Sequence, residues 1–225
     1  MKKLALVLFF AAIISFTYAQ KISNIDFDYV KEETTKKKSD NYYPKLLERY
    51  NAYDTTFTEE EYMFLYYGYT FTDNYSPYGT HESQEEFLQL YYEEEFTSAI
   101  PLGKLILEDN PVHLKIIFKM LVCYYALDML DTARIYAKRY YGLLSAIYDS
   151  GDGFSVETAW VVIRVSDEYE ILSDLELDML EQALLEGPTD MLTLKTEDQK
   201  YDPPVEELYF NVAKPFEGMS KMFGE

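Results

Sequence analysis

The chain has 225 residues and carries 40 Asp and Glu against 20 Lys and Arg, for a net charge of -20. So acidic a surface repels phosphate backbones, which argues against nucleic acid as a partner. Cys123 is the single cysteine, so no internal disulfide can form, and stability has to come from packing a core for which this length suffices.

The first predicted element is an export signal. Lys2 and Lys3 precede an apolar run from Leu4 to Ile14, and small residues at Thr17 and Ala19 place cleavage before Gln20. No cysteine follows that point, so a lipid anchor has no attachment site. The predicted organisation is a signal peptide over 1–19, a helical region over 20–148 and an α+β region over 149–225, in a chain delivered to the periplasm or secreted. After cleavage no transmembrane segment remains: the most apolar stretch, Leu114 to Leu130, is broken by Lys115, Lys119 and Asp128.

From Asp26 to Tyr148 apolar and charged residues recur at three- and four-residue spacing, the helical period. Helices are expected near Phe27–Lys37, Tyr43–Tyr53, Thr58–Tyr69, Ser83–Tyr92, Glu95–Glu108, Pro111–Leu127 and Asp131–Tyr148. Thr58 followed by Glu59, Glu60 and Glu61 is a capping-box start, with acids where the helix dipole favours them. Ala99 and Ala133 stand one tetratricopeptide period apart, Gly103 answers Ala137, and Phe87 answers Leu121. Residues 83–145 therefore resemble two tetratricopeptide repeats, although Phe87 and Leu121 replace the usual small residue and no proline closes the second. Helical hairpins with a chance period are the other reading.

Asp149 to Gly153 is turn-rich and ends the last of these helices. Thr158–Val165 then alternates as a strand, with Trp160, Val162 and Arg164 on one face and both faces mostly buried. Ser166 is expected to cap a helix running to about Leu175. Asp178–Glu186 fits a helix by its leucines and a strand by its shortness. Met191–Thr196 and Val205–Val212 read as strands, and Pro215–Phe223 as a closing amphipathic helix. The fold class is α+β: mainly helical, followed by a small antiparallel or mixed sheet.

Chemistry is sparse in this sequence. His81 and His113 lie in different segments without metal spacing; His113 opens a helix and reads as partly exposed, while His81 sits in the loop Tyr75–Glu82. No nucleophile elbow or phosphate loop is present, and Cys123 reads as a buried structural thiol. A calcium loop starting at Asp149 would put glycines at ligand positions and Trp160 where a bidentate acid belongs. No metal, cofactor or catalytic residue is assigned, although paired carboxylates of the glycosidase kind are compatible with so many acids. The 23 tyrosines are more informative. Tyr62, Tyr66 and Tyr69 share one helix face, Tyr67 lies on the next, and Tyr75 and Tyr78 follow around Pro77. They are either core or the lining of a groove, and the candidate ligand-binding set is Tyr66, Tyr67, Tyr75, Tyr78 and His81.

Leu65-Tyr-Tyr-Gly-Tyr69, Tyr75-Ser-Pro-Tyr-Gly79, Gly151-Asp-Gly153, Glu157-Thr-Ala-Trp-Val-Val-Ile163, Asp167-Glu-Tyr169, Gly187-Pro and Tyr209-Phe-Asn-Val212 together resemble a domain-of-unknown-function family of small exported proteins from gut-type Gram-negative bacteria. The resemblance implies export and a shared fold and transfers no activity or site. The expected function is a non-catalytic peptide- or protein-binding module of the cell envelope. A carbohydrate-associated binding protein or hydrolase using acidic residues is the alternative, and a purely structural role is the third.

Overall fold

The structure, a computed structural model, describes residues 25–223; the expected signal peptide lies outside them. The described residues form α1 (Phe27–Thr35), α2 (Tyr43–Asn51), α3 (Glu59–Gly68), a 3-10 turn (Tyr69–Phe71), α4 (Gln84–Tyr92), α5 (Phe96–Asp109), α6 (Leu114–Ala126) and α7 (Leu130–Tyr148). Then come β1 (Trp160–Val161), α8 (Ser166–Leu175), β2 (Met179–Leu185), β3 (Thr189–Leu194), β4 (Glu207–Asn211) and α9 (Ala213–Phe223). The fold is α+β, as expected, and among the described residues one hydrophobic cluster runs from Val30 in α1 to Val212 beyond β4.

Capping decides several boundaries. The Asp26 carboxylate accepts from Tyr29 N–H at the start of α1, and Thr58 and Glu61 exchange both bonds of the capping box at the start of α3. The α3 helix is buried on nearly every side from Tyr62 to Gly68, which makes it the central helix, with α1, α2 and α7 packed around it. Close approach needs small residues. A Cβ on Gly68 would meet Thr34, and one on Gly142 would lie 2.5 Å from the Tyr62 ring.

The α4–α5 and α6–α7 hairpins turn alike. In the first, Glu93, Glu94 and Glu95 N–H donate to the carbonyls of Gln89, Tyr91 and Leu90; in the second, Leu127, Asp128 and Met129 donate to Cys123, Tyr125 and Tyr124. Each bond recurs at the Ala99-to-Ala133 interval, and Glu94 and Asp128 both take the left-handed conformation, with φ 59° and 58°. Ala99, Gly103 and Ala133 are all buried, as their small size at a helix contact requires.

The sheet has the order β1-β4-β3-β2, with β1 parallel to β4 and the other pairs antiparallel. Asp178–Glu186, which fits either element in sequence, forms the edge strand β2, joined to β3 through Gly187 at φ 78°. β1 differs from expectation: of the strand expected over Thr158–Val165, only Trp160 and Val161 pair, with Phe210 and Asn211. The rest of the segment to Arg164 is buried without a ladder; backbone groups pair Thr158, Val162 and Arg164, and side chains take other polar groups. Tyr67 Oη directs its proton to the carbonyls of Val161 (3.0 Å) and Ala146 (3.2 Å), while Tyr66 Oη accepts from Ile163 N–H (3.2 Å). Tyr75 Oη donates to the Ile163 carbonyl (2.8 Å), and Val161 N–H donates to Ser150 Oγ (2.8 Å).

Gly142→Ala tests the packing of α3 on α7. Helix propensity alone would make alanine stabilising by about 1 kcal/mol. The Tyr62 ring blocks the added methyl, so the expected result is a net loss of about 1–3 kcal/mol. Urea denaturation midpoints of the two proteins check the sign.

Candidate functional site

Behind the 3-10 turn the chain makes a loop, residues 72–83, whose return depends on Arg164. The guanidinium donates through Nη1 to the Ser76 carbonyl (2.6 Å) and through Nη2 to the Gly79 carbonyl (2.7 Å). On the opposite wall α5 ends at Asp109, and a short turn intervenes before α6, since the Asn110 side-chain oxygen accepts from Val112 N–H. That turn is why α6 starts at Leu114 and not at Pro111. It also turns His113, expected to be partly exposed, into the buried N-cap position.

Between these walls lies a cleft of about 230 Å³, lined by Tyr69, Asn74, Ser76, Gly79, His81, Gln84, Asn110, His113 and Arg164 among others. Both histidines of the sequence therefore meet here. Three lining side chains are more than nine-tenths buried, with exposures of 5% for Asn110, 4% for His113 and 6% for Arg164. Each keeps one polar atom that has no partner among the described residues: Asn110 Nδ2, His113 Nδ1 and Arg164 Nε. His113 Nε2 faces Gln84 Oε1 at 3.3 Å, and burial, reinforced by the positive charges of Arg164 and Lys115, pushes its pKa down to about 3. The ring is neutral at physiological pH. His81 accepts through Nδ1 from Ser83 N–H (3.1 Å), which fixes the end of the loop.

The five residues singled out in sequence do not surround one groove. Tyr66 and Tyr67 are fully buried, with their hydroxyls engaged by Asp167, Ile163, Val161 and Ala146. Tyr75 is half-buried and bonded to Ile163. Tyr78 is 46% exposed, and partial burial of its hydroxyl, with the nearby acids Asp190 and Glu168, raises its pKa. His81 alone of the five lines the cleft. Sequence reasoning missed Asn110, His113 and Arg164. A lone cation inside an apolar strand-like run was the available signal for Arg164, and burial on both faces was already expected there.

Next to the cleft is a second polar cluster, at the start of α8. Asp167 accepts from Tyr66 Oη at 2.7 Å, and Gln182 Nε2 bridges Glu168 (3.3 Å) and Asp190 (2.8 Å). Burial raises Asp167 to about 7, opposed by its Tyr66 bond, and raises Glu168 to about 9, helped by the neighbouring Asp190. These acids tie the sheet to the helices and do not line the cleft. Among the described residues no group of three or more His, Cys, Asp or Glu is placed to hold a metal ion, and no helix is long and apolar enough to cross a membrane.

The raised acids fix a pH dependence. Their contribution to stability is complete below the ordinary values of 3.8 and 4.5, and is lost as pH rises through about 7 for Asp167 and about 9 for Glu168. The urea midpoint should therefore fall between about pH 5 and about pH 8, and Glu168→Gln, which stays neutral, should flatten part of that fall. Equal slopes in the two proteins would show that Glu168 does not hold its proton in the fold.

No curated protein and no solved structure matches the chain. A family model described as "Domain of unknown function (DUF4919)" matches residues 28–221, a span that includes every residue of the cleft. The chain belongs to that family.

Proposed function

We propose that this chain is an exported, non-catalytic binding module of the cell envelope, in the periplasm or outside the cell, that takes part of a peptide or protein in the cleft. One observation carries the reading: Asn110, His113 and Arg164 line one cavity, and each keeps a buried polar atom that has no partner among the described residues. Burying such a group without a partner costs about 1–3 kcal/mol, a cost that a ligand's polar atoms would remove. The volume, about 230 Å³, is below the roughly 300–1,000 Å³ of pockets that hold whole small molecules. The cleft suits the end of a longer chain.

A non-catalytic role is supported by the lining itself. Its one carboxylate, Asp109, is exposed, and the acids with raised pKa lie outside the cavity. The matching turns of the α4–α5 and α6–α7 hairpins favour a tetratricopeptide-like stack, an architecture that presents binding surfaces to peptides. Export rests on the amino-terminal pattern of Lys2, Lys3 and the apolar run that follows.

Titration of the isotope-labelled protein with degenerate peptide pools and with a panel of oligosaccharides tests this. Peptides are expected to shift the amide resonances of Gly79, Asn110, His113 and Arg164. Oligosaccharides shifting those signals while peptides leave them unmoved would favour the carbohydrate reading instead.

A further inference from the structure

The polar atoms around the cleft specify a chemical group, and this step rests on the binding reading above. We propose that the cleft captures the C-terminal carboxylate of a peptide, together with the last amide N–H before it. Arg164 supplies the first reason. It is a buried cation whose two Nη groups are spent on carbonyls, and among the described residues it forms no ion pair with any carboxylate, although the chain has 40 acids. An opposing group, the buried Asp167 carboxyl, feels the Arg164 charge without a direct ion pair, and an anion beside the unpaired Nε–H would offset the remaining cost of burying the guanidinium.

Asn110 supplies a second donor whose identity is fixed. Its side-chain oxygen is occupied by Val112 N–H at 3.3 Å, so the atom left unpaired is the amide nitrogen. His113 supplies the complement. The ring is neutral and faces Gln84 Oε1 through Nε2, so Nε2 carries the proton and Nδ1 is an acceptor. The positive end of the α6 dipole begins at the same residue and adds to the preference for an anion on this wall. Two donors, a cationic field and one acceptor complement a carboxylate with an adjoining amide N–H. A simple carboxylate such as acetate offers the first of these and lacks the second, and inorganic phosphate brings a P–OH donor in place of the amide N–H. The exposed Asp109 at this wall is the one opposing charge among the lining residues.

The test is a calorimetric titration of the full protein with a side-chain-degenerate pool of acetylated tripeptides bearing a free carboxylate, against the same pool as carboxamides, with sodium acetate and inorganic phosphate alongside. The free-acid pool should bind at least about tenfold more tightly than the carboxamide pool and than either small anion, a difference that a single charge-assisted pair supplies. Asn110→Asp keeps the acceptor for Val112 and turns the donor into a like charge, so it should lower free-acid binding about tenfold or more while circular dichroism stays unchanged. Equal binding of the two pools would overturn the carboxylate assignment and leave the peptide-binding reading standing. Acetate or phosphate binding as well as the peptides would make the cleft a plain anion site and overturn the proposal. No binding by any of the four would mean that the cleft holds water alone, and both readings would fall.

Discussion

The fold depends on how a buried stretch of backbone, most of it outside any sheet ladder, is kept satisfied. Residues 158–164 run through the interior between the central helix α3 and the sheet, and only Trp160 and Val161 belong to a ladder. A buried amide or carbonyl left without a partner costs about as much as a hydrogen bond or more. Three tyrosine hydroxyls remove that cost here. Tyr67 serves the carbonyls of Val161 and Ala146, Tyr66 serves Ile163 N–H while donating to Asp167, and Tyr75 serves the Ile163 carbonyl. Tyrosine fits this position because its ring fills core volume and its tip delivers a hydrogen bond. On the sheet side, Val162 N–H donates to Asn211, and the Trp160 indole reaches the Gly151 carbonyl at 3.0 Å.

The same segment builds the cleft. One residue beyond Ile163 is Arg164, whose guanidinium folds the 72–83 loop back onto the body, and three residues further on Asp167 receives Tyr66. Pro77 of that loop is buried, with Gly218 of α9 placed so closely that a Cβ there would meet the proline ring. The loop is thus clamped between α9 and Arg164, which holds in place the wall it offers to the cleft.

Much of this was legible in the sequence where the signal was local. The Thr58–Glu61 box, the helical periods and the break at Asp149–Gly153 depend on neighbours along the chain, and each appears within a few residues of its expected place. The recurrence of Ala99 at Ala133 reappears as matching turn bonds. What the residues did not show was which partner satisfies a backbone group. The run Thr158–Val165 reads as a strand because its residues are β-branched and buried, yet only two residues pair in a ladder, and tyrosines of α3 and the 72–83 loop serve Val161 and Ile163. His113 shows the same limit. Its burial follows from the turn that Asn110 makes, and helical periodicity carries no information about that turn. The cleft needs residues from three separated segments, so only the fold brings them together.

The tyrosine-bound segment is expected to join helices and sheet into one cooperative structure. Native-state hydrogen exchange tests this most directly, by comparing amides of α3 with those of Ile163 and of Leu192 and Leu208 in the sheet. The expectation is that all three groups exchange through the same opening, with the same free energy and the same dependence on denaturant. Sheet amides that exchange through a separate, lower-energy opening while α3 stays protected would contradict it.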